Sequence, residues 1–195
     1  MPWFVCWLDG NGARTEPGTG KPDFRVVDTR KLAIAITRKL CWICGGAMGR
    51  HMAFVIGPMC AVSRVSSEPP CHRACAEYAV CACPFLIHPR MVRNDRVALP
   101  TNFTPDGHID RNPGVSAIWM TRGYGAFVSD GSQLFRLGDP EEIMWLRQGR
   151  AATRPEIIKS IDDGMPLLRE KNTKPGHEEE LQRQYRRLLQ MVPAS

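Results

Sequence analysis

The apolar positions of the chain fall into short runs broken by Gly and Pro, and each run carries its own period. WFVCWL at 3–8 reads as a short strand, and the Gly/Pro-rich stretch at 9–23 reads as a loop. Leu32, Ile36 and Leu40 recur at helical spacing, with Asp28 placed to cap a helix running through about Leu40. CWICGGAMG then makes a tight turn. RHMAFVI and MCAVSR, either side of Gly57-Pro58, read as two strands of a hairpin. Ser66 or Ser67 can cap the next helix, with Pro69 and Pro70 in its first turn, CHRACAEYAVCA as its body and Pro84 as its stop.

Residues 85–116 read as a long connection holding an internal boundary. SAIWMT and GAFVSDG predict a second hairpin, and Asp139-Pro140 opens a helix through about Gln148. Thr153 and Glu156 form a capping box for another helix, closed at Gly164. KNTKPGH at 171–177 reads as a linker. Beyond it Leu181, Tyr185, Leu188, Leu189 and Val192 lie on one helical stripe, with Glu178–Glu180 at the start and Arg183, Arg186 and Arg187 later, as the helix dipole favours. The pattern predicts an α+β fold in three parts: 1–100, 101–170 with a hairpin and two helices packed on the first, and 171–195 with a linker and an amphipathic helix.

Composition narrows the class. A hydrophobic fraction of 43% and a charged fraction of 24% are those of a globular protein, and 17 Gly with 16 Pro favour turns and short elements. The net charge of +6 lies wholly in residues 1–100, where 13 Lys/Arg face 7 Asp/Glu. That half also holds every cysteine. No apolar run approaches a membrane span, and the opening MPWFVCWLDG has no charged leader region, so the expectation is a cytoplasmic protein with reduced thiols.

Eight cysteines in such a protein need a reason, and several stand at metal-ligand spacing. Zinc takes four ligands at tetrahedral corners, commonly thiolate and imidazole. Cys41 and Cys44, followed by Gly45, form a Cys-x-x-Cys-Gly turn. On the first turn of the following helix either His72 with Cys75 or Cys71 with Cys75 can complete the set, because spacings of three and four share a helix face. Knuckle, hairpin and helix in that order is the layout of a treble-clef zinc module. Cys6 and Cys60 read as core. Cys81 and Cys83 lie too far along the helix from Cys75 for one ion.

CWICGGAMGR, AFVIGPMCAVSRVSSEPPCHRACAEYAVCACPFL and LRQGRAATRPEIIKSIDDG together resemble a family of small uncharacterised proteins from bacterial and bacteriophage genomes. The resemblance covers roughly residues 25–165. It implies Cys41, Cys44, His72 and Cys75 as ligands and leaves Cys71 as a variable neighbour. It also matches Cys83 to the Cys of a recurring Cys-Pro-Phe-Leu, and it implies no particular activity.

Catalytic signatures do not follow the metal motif. Cys75-Ala-Glu77 resembles the start of a zinc-deaminase motif, but the second cysteine pair those enzymes need is not separated from it. No His-Glu-x-x-His, Gly-x-Ser-x-Gly or phosphate-binding Gly-Lys-Ser/Thr loop occurs. The expectation is therefore a non-enzymatic, zinc-stabilised binding or scaffold protein with a protein partner. The alternatives are a nucleic-acid-binding accessory protein, using Arg64, Arg73, Arg90, Arg93 and Arg96 on phosphates, and a zinc-dependent hydrolase.

Overall fold

In the computed structural model, residues 1–88, 114–129, 131–171 and 176–194 are described, with Arg25, Val26 and Lys171 described by backbone alone. They form an α+β fold of antiparallel sheets and helices. In chain order the elements are β1 (Val5–Leu8), β2 (Arg14–Thr15), β3 (Lys21–Val27), α1 (Thr29–Arg38), β4 (Met52–Ile56), α2 (Pro58–Ser63), β5 (Val65–Ser66), α3 (Arg73–Ala82) and α4 (Pro84–Ile87). There follow β6 (Ser116–Thr121), β7 (Tyr124–Ser129), β8 (Ser132–Leu137), β9 (Pro140–Arg147), β10 (Arg150–Ala151), α5 (Arg154–Lys171) and α6 (His177–Met191).

The central sheet has the strand order β10-β9-β6-β4, and all six residues of β6 are buried. Alternate residues of a strand point to opposite faces, so β6 serves two cores. Ala117 and Trp119 join Phe54, Phe135, Trp145, Ile157, Ile161, Leu181 and Leu188 in the larger one. Ile118 and Met120 join Cys41, Ala53, Cys71, Ala76 and Val80 in the smaller. Helices α2, α5 and α6 pack together on the first side, and α3 lies over β4 and β6 on the second. A sheet β2-β1-β3 and a sheet β5-β8-β7 complete the fold.

Several expectations change. MCAVSR is not a strand: Pro58 occupies the first turn of α2, Met59, Ala61 and Val62 face the core, and Arg64 ends the helix with φ 57°. The hairpin expected between the metal turn and α3 is therefore not formed, and β4 pairs instead with β6. SAIWMT and GAFVSDG do not pair with each other either; β6 lies between β4 and β9, and β7 pairs with β8. Residues 140–147 are a strand, not a helix. Ile143 and Trp145 pack on the larger core while Met144 and Leu146 pack on the smaller, which only a period of two allows. The loop at 9–23 contains β2 and the start of β3.

Helix α5 passes through Gly164 and Pro166 to Lys171, and its buried Met165 and Leu168 hold that last stretch to the core. The stripe of α6 turns inward, burying Leu181 and Leu188, with Tyr185 donating to Asp162 at 2.8 Å. The larger core thus runs from Phe54 to Val192, across all three parts outlined from the sequence. No helix among the described residues is long and apolar enough to cross a membrane.

At the start of α5, Glu156 accepts from the Thr153 N–H at 2.9 Å and from both terminal nitrogens of Arg150. Arg150 and the Thr153 amide pull its pKa down to about 2. A carboxylate whose folded value lies below its ordinary one stabilises above the ordinary value and loses that effect as pH falls through the folded value. Glu156→Gln should therefore lower the melting temperature at neutral pH, with the gap to wild type closing between about pH 4.5 and pH 2. Melting curves across that range check it; a constant gap would assign the effect to packing.

Candidate metal centre

The metal turn is built by backbone bonds. Helix α1, capped by the Asp28 carboxylate on the Arg30 N–H, ends with Lys39 in the left-handed conformation. Leu40 then bridges Ala47, the Met48 N–H donates to Lys39 O at 3.0 Å, and the Cys41 N–H donates to Gly46 O at 2.7 Å. The Gly45 N–H closes the turn on Cys41 O at 2.8 Å. Gly45 has φ 75°, and a Cβ there would stand 2.8 Å from the Trp3 ring, so conformation and space both demand glycine. Trp3 in turn donates its N–H to Ile43 O at 2.6 Å, and Phe4 stacks on Trp42 with centroids 4.9 Å apart. The N-terminal segment thus clamps the turn from outside.

The other side of the site is the entry to α3. Cys71 and Ala53 exchange both backbone bonds, at 2.7 and 2.9 Å, so residue 71 is extended against β4. His72 is the N-cap residue, with φ −68° and ψ 152°, and the helix proper begins at Arg73. Ser66 does not cap α3; its hydroxyl takes the Glu68 N–H in a local turn. Because residues 71 and 72 are extended rather than helical, their side chains diverge. Cys71 is buried and its thiol faces Ala53 O at 3.4 Å, while His72 turns toward the Cys41–Gly46 turn.

Cys41, Cys44, His72 and Cys75 come together, with their ligand atoms all within 4.8 Å of one another. His72 Nδ1 lies 3.3 Å from Cys44 Sγ and 3.9 Å from Cys75 Sγ. Four donors about 2.0–2.3 Å from a tetrahedral ion stand roughly 3.5–3.8 Å apart, so the cluster has the dimensions of a metal site. His72 Nε2 lies 3.0 Å from Ala47 O and so carries the proton, leaving the Nδ1 lone pair directed at the sulfurs. The His72 N–H points at Cys41 Sγ at 3.4 Å, and the Gly46 N–H at Cys44 Sγ at 3.5 Å. These amides offset negative charge on the sulfurs.

The acidities describe a site prepared for a cation. Burial opposes ionisation of Cys44, but the Gly46 N–H and bonds from Cys41, Cys75 and His72 outweigh it and bring the thiol to about 7. Cys75 is pushed up to about 12 by burial and then by the neighbouring Cys41 and Cys44. The Ala47 carbonyl raises His72 against the effect of burial, and Cys44 adds to the rise. One sulfur ionises readily and the next resists a second negative charge beside it. A dication among them removes that resistance. The donor set could hold a metal ion and is compatible with zinc.

The remaining candidates are placed elsewhere. Cys6 is buried in β1; Cys60 lies in α2 against the larger core, where burial raises it to about 11; Cys71 is raised by burial too. Cys81 is exposed, and Cys83 joins α3 to α4. Arg73 is bonded to Glu142 through both terminal nitrogens, at 2.8 and 3.1 Å, and to Glu77 at 2.9 Å. Arg64 pairs with Asp139 at 3.0 Å and lies over the Trp119 ring. Arg90, Arg93 and Arg96 lie outside the described residues. Sequence reasoning passed over Arg38, Lys39 and Arg50, which are exposed beside the metal turn and have no ion-pair partner among the described residues. Their signal was their place on either side of Cys41 and Cys44.

Gly45→Ala should cost about 1–2 kcal/mol from the backbone alone, with the Trp3 clash added, and should weaken metal binding. Denaturant melts and zinc competition against a chelator measure both; wild-type values would remove Gly45 from the site's construction. Comparison of the chain with protein-family models, curated proteins and solved structures finds no match.

Proposed function

We propose that the chain is a non-enzymatic, zinc-stabilised binding or scaffold protein that acts on another protein in the bacterial or bacteriophage setting its motifs resemble. The observation that carries the reading is the donor set: three sulfurs and one imidazole nitrogen within 4.8 Å, with Cys41, Cys44 and His72 steered by backbone contacts. Four protein ligands of this composition are those of structural zinc, whereas catalytic zinc keeps a position for water. The one carboxylate on α3, Glu77, is engaged by Arg73. The turn and the helix are treble-clef-like, with β4 and its bridge to Cys71 in place of the usual hairpin. All eight cysteines are free, which agrees with a reducing, cytoplasmic location where the thiolates stay available.

In this reading the metal shapes a surface. It ties the turn after α1 to the start of α3 beside the smaller core, so metal affinity becomes folding free energy. Elemental analysis of reduced, purified protein should find one zinc per chain. Cys44→Ala should then remove most of a contribution on the order of 10 kcal/mol, unfolding or aggregating the protein rather than weakening a reaction. Metal-free wild type with an unchanged melt would overturn the reading.

A second reading is nucleic-acid binding, favoured by the exposed Arg38, Lys39 and Arg50 beside the metal turn, which have no ion-pair partner among the described residues. Phosphate contacts made there would weaken steeply with salt. A fluorescent duplex or single strand should bind at low salt and lose roughly tenfold or more in affinity when the three are replaced by Ala. The absence of binding by wild type at low salt would exclude it.

A further inference from the structure

The eight sulfurs of the chain differ in what can reach them. Cys6, Cys41 and Cys71 are buried, Cys60, Cys75 and Cys83 are half-buried, and Cys44 and Cys81 are exposed. The two exposed sulfurs have different surroundings. Cys81 Sγ meets the Gly149 carbonyl at 3.9 Å and lies outside the metal cluster. Cys44 is a member of that cluster, with the Gly46 N–H directed at its sulfur at 3.5 Å. The thiolate, not the thiol, is the nucleophile, and a sulfur that ligates a metal has already lost its proton. With the site loaded, Cys44 is therefore the sulfur that is both ionised and open to solvent.

Cys41 is the sulfur placed to react next. The Gly45 N–H on Cys41 O at 2.8 Å closes residues 41–45 into a single turn, and the Cys41 N–H on Gly46 O at 2.7 Å holds its ends together. Residues at i and i+3 of a turn have Cα atoms less than about 7 Å apart, and a disulfide takes Cα separations of roughly 4.4–6.8 Å. The two sulfurs already stand within 4.8 Å. A bridge inside the turn needs side-chain rotation alone. Cys75 lies within the same limit, but it stands on α3, where helix bonds fix its backbone, the Ala76 N–H on His72 O at 2.9 Å among them. A bridge from Cys44 to Cys75 would draw two separately held elements together.

We propose that Cys44 is an oxidation site for hydroperoxides, and that its bridge to Cys41 releases the metal. The inference rests on the zinc reading above. In the first step the Cys44 thiolate attacks the peroxide; an S–O bond forms, the O–O bond breaks, and the leaving oxygen takes a proton to become water or an alcohol. In the second the Cys41 thiolate attacks Cys44 Sγ; the S–S bond forms, the S–O bond breaks, and hydroxide takes a second proton and leaves as water. One electron pair passes from the two sulfurs to the peroxide. Both ligands lost belong to the turn, and the two kept, His72 and Cys75, belong to the entry of α3. The reaction thus uncouples the two elements that the ion joins. What still holds α3 is the Ala53–Cys71 bridge and the small side chains of Ala76 and Val80. Free thiols reverse the disulfide by exchange, as a reducing compartment requires.

The test uses the full-length, zinc-loaded chain, its metal content measured by elemental analysis before any oxidant is added. One equivalent of hydrogen peroxide should release one zinc per chain to a chromogenic indicator. Peptide mapping of the product, alkylated without reduction, should find a Cys41–Cys44 bridge. Dithiothreitol with added zinc should restore the starting metal content. Cys81→Ser removes the other exposed thiol and leaves the cluster intact, so it should release zinc at the wild-type rate. Zinc retained while Cys81 is oxidised, a release that Cys81→Ser abolishes, or Cys44 bridged to Cys75 or Cys71 instead each overturns the proposal and leaves the zinc reading standing. A chain that holds no zinc before oxidation overturns both.

Discussion

Six consecutive buried residues in β6 are the constraint around which the chain is arranged. A strand covered on both faces needs an apolar layer above and below it, and its backbone groups must all find partners. β4 and β9 supply the partners, since both pair with β6 along its length. The layers follow from the alternation of Ala117 and Trp119 on one side with Ile118 and Met120 on the other. Trp119 illustrates how closely the central strand is specified: it is fully buried, yet its indole N–H reaches Gly138 O at 3.0 Å.

The two sides are unequal, and the inequality explains where the metal site lies. The larger core draws its buried side chains from three helices and four strands. The smaller has one principal helix, α3, over β4 and β6, with Cys41 and Cys71 among its buried members. Ala53, Ala76 and Val80 are small, so this side has less apolar surface to hold α3 in place. The donor cluster sits at its border, where the turn after α1 meets the N-terminus of α3. A bound ion would supply by coordination what the small side chains do not supply by burial. The clamp of Trp3 and Phe4 over the turn points the same way, toward a segment that needs external restraint.

The proposed roles share one side of the frame. The metal turn and its flanking cations lie on the α3 side. Helix α6 has given its apolar stripe to the larger core and is bound further by Tyr185 to Asp162 and Arg187 to Asp139. Its exposed side is therefore polar.

The sequence by itself determined what depends on near neighbours. The Cys-x-x-Cys-Gly turn, the Asp28 cap, the Thr153–Glu156 start of α5 and the amphipathic α6 are each specified within a few residues, and all are present. The choice between Cys71 and His72 was not local in this sense. It turned on the bridge to Ala53, which holds residue 71 extended and sends the two side chains apart. The largest departures arose where a short apolar run reads equally well with either period. Met59–Ser63 became helix because Gly57-Pro58 starts one and the larger core covers it; Ile143–Leu146 became strand because β6 lies beside it and both faces are apolar. Pairing partners distant in the chain set those periods. Local propensity differs between helix and strand by less than the burial that tertiary contact provides, so only the assembled structure could decide.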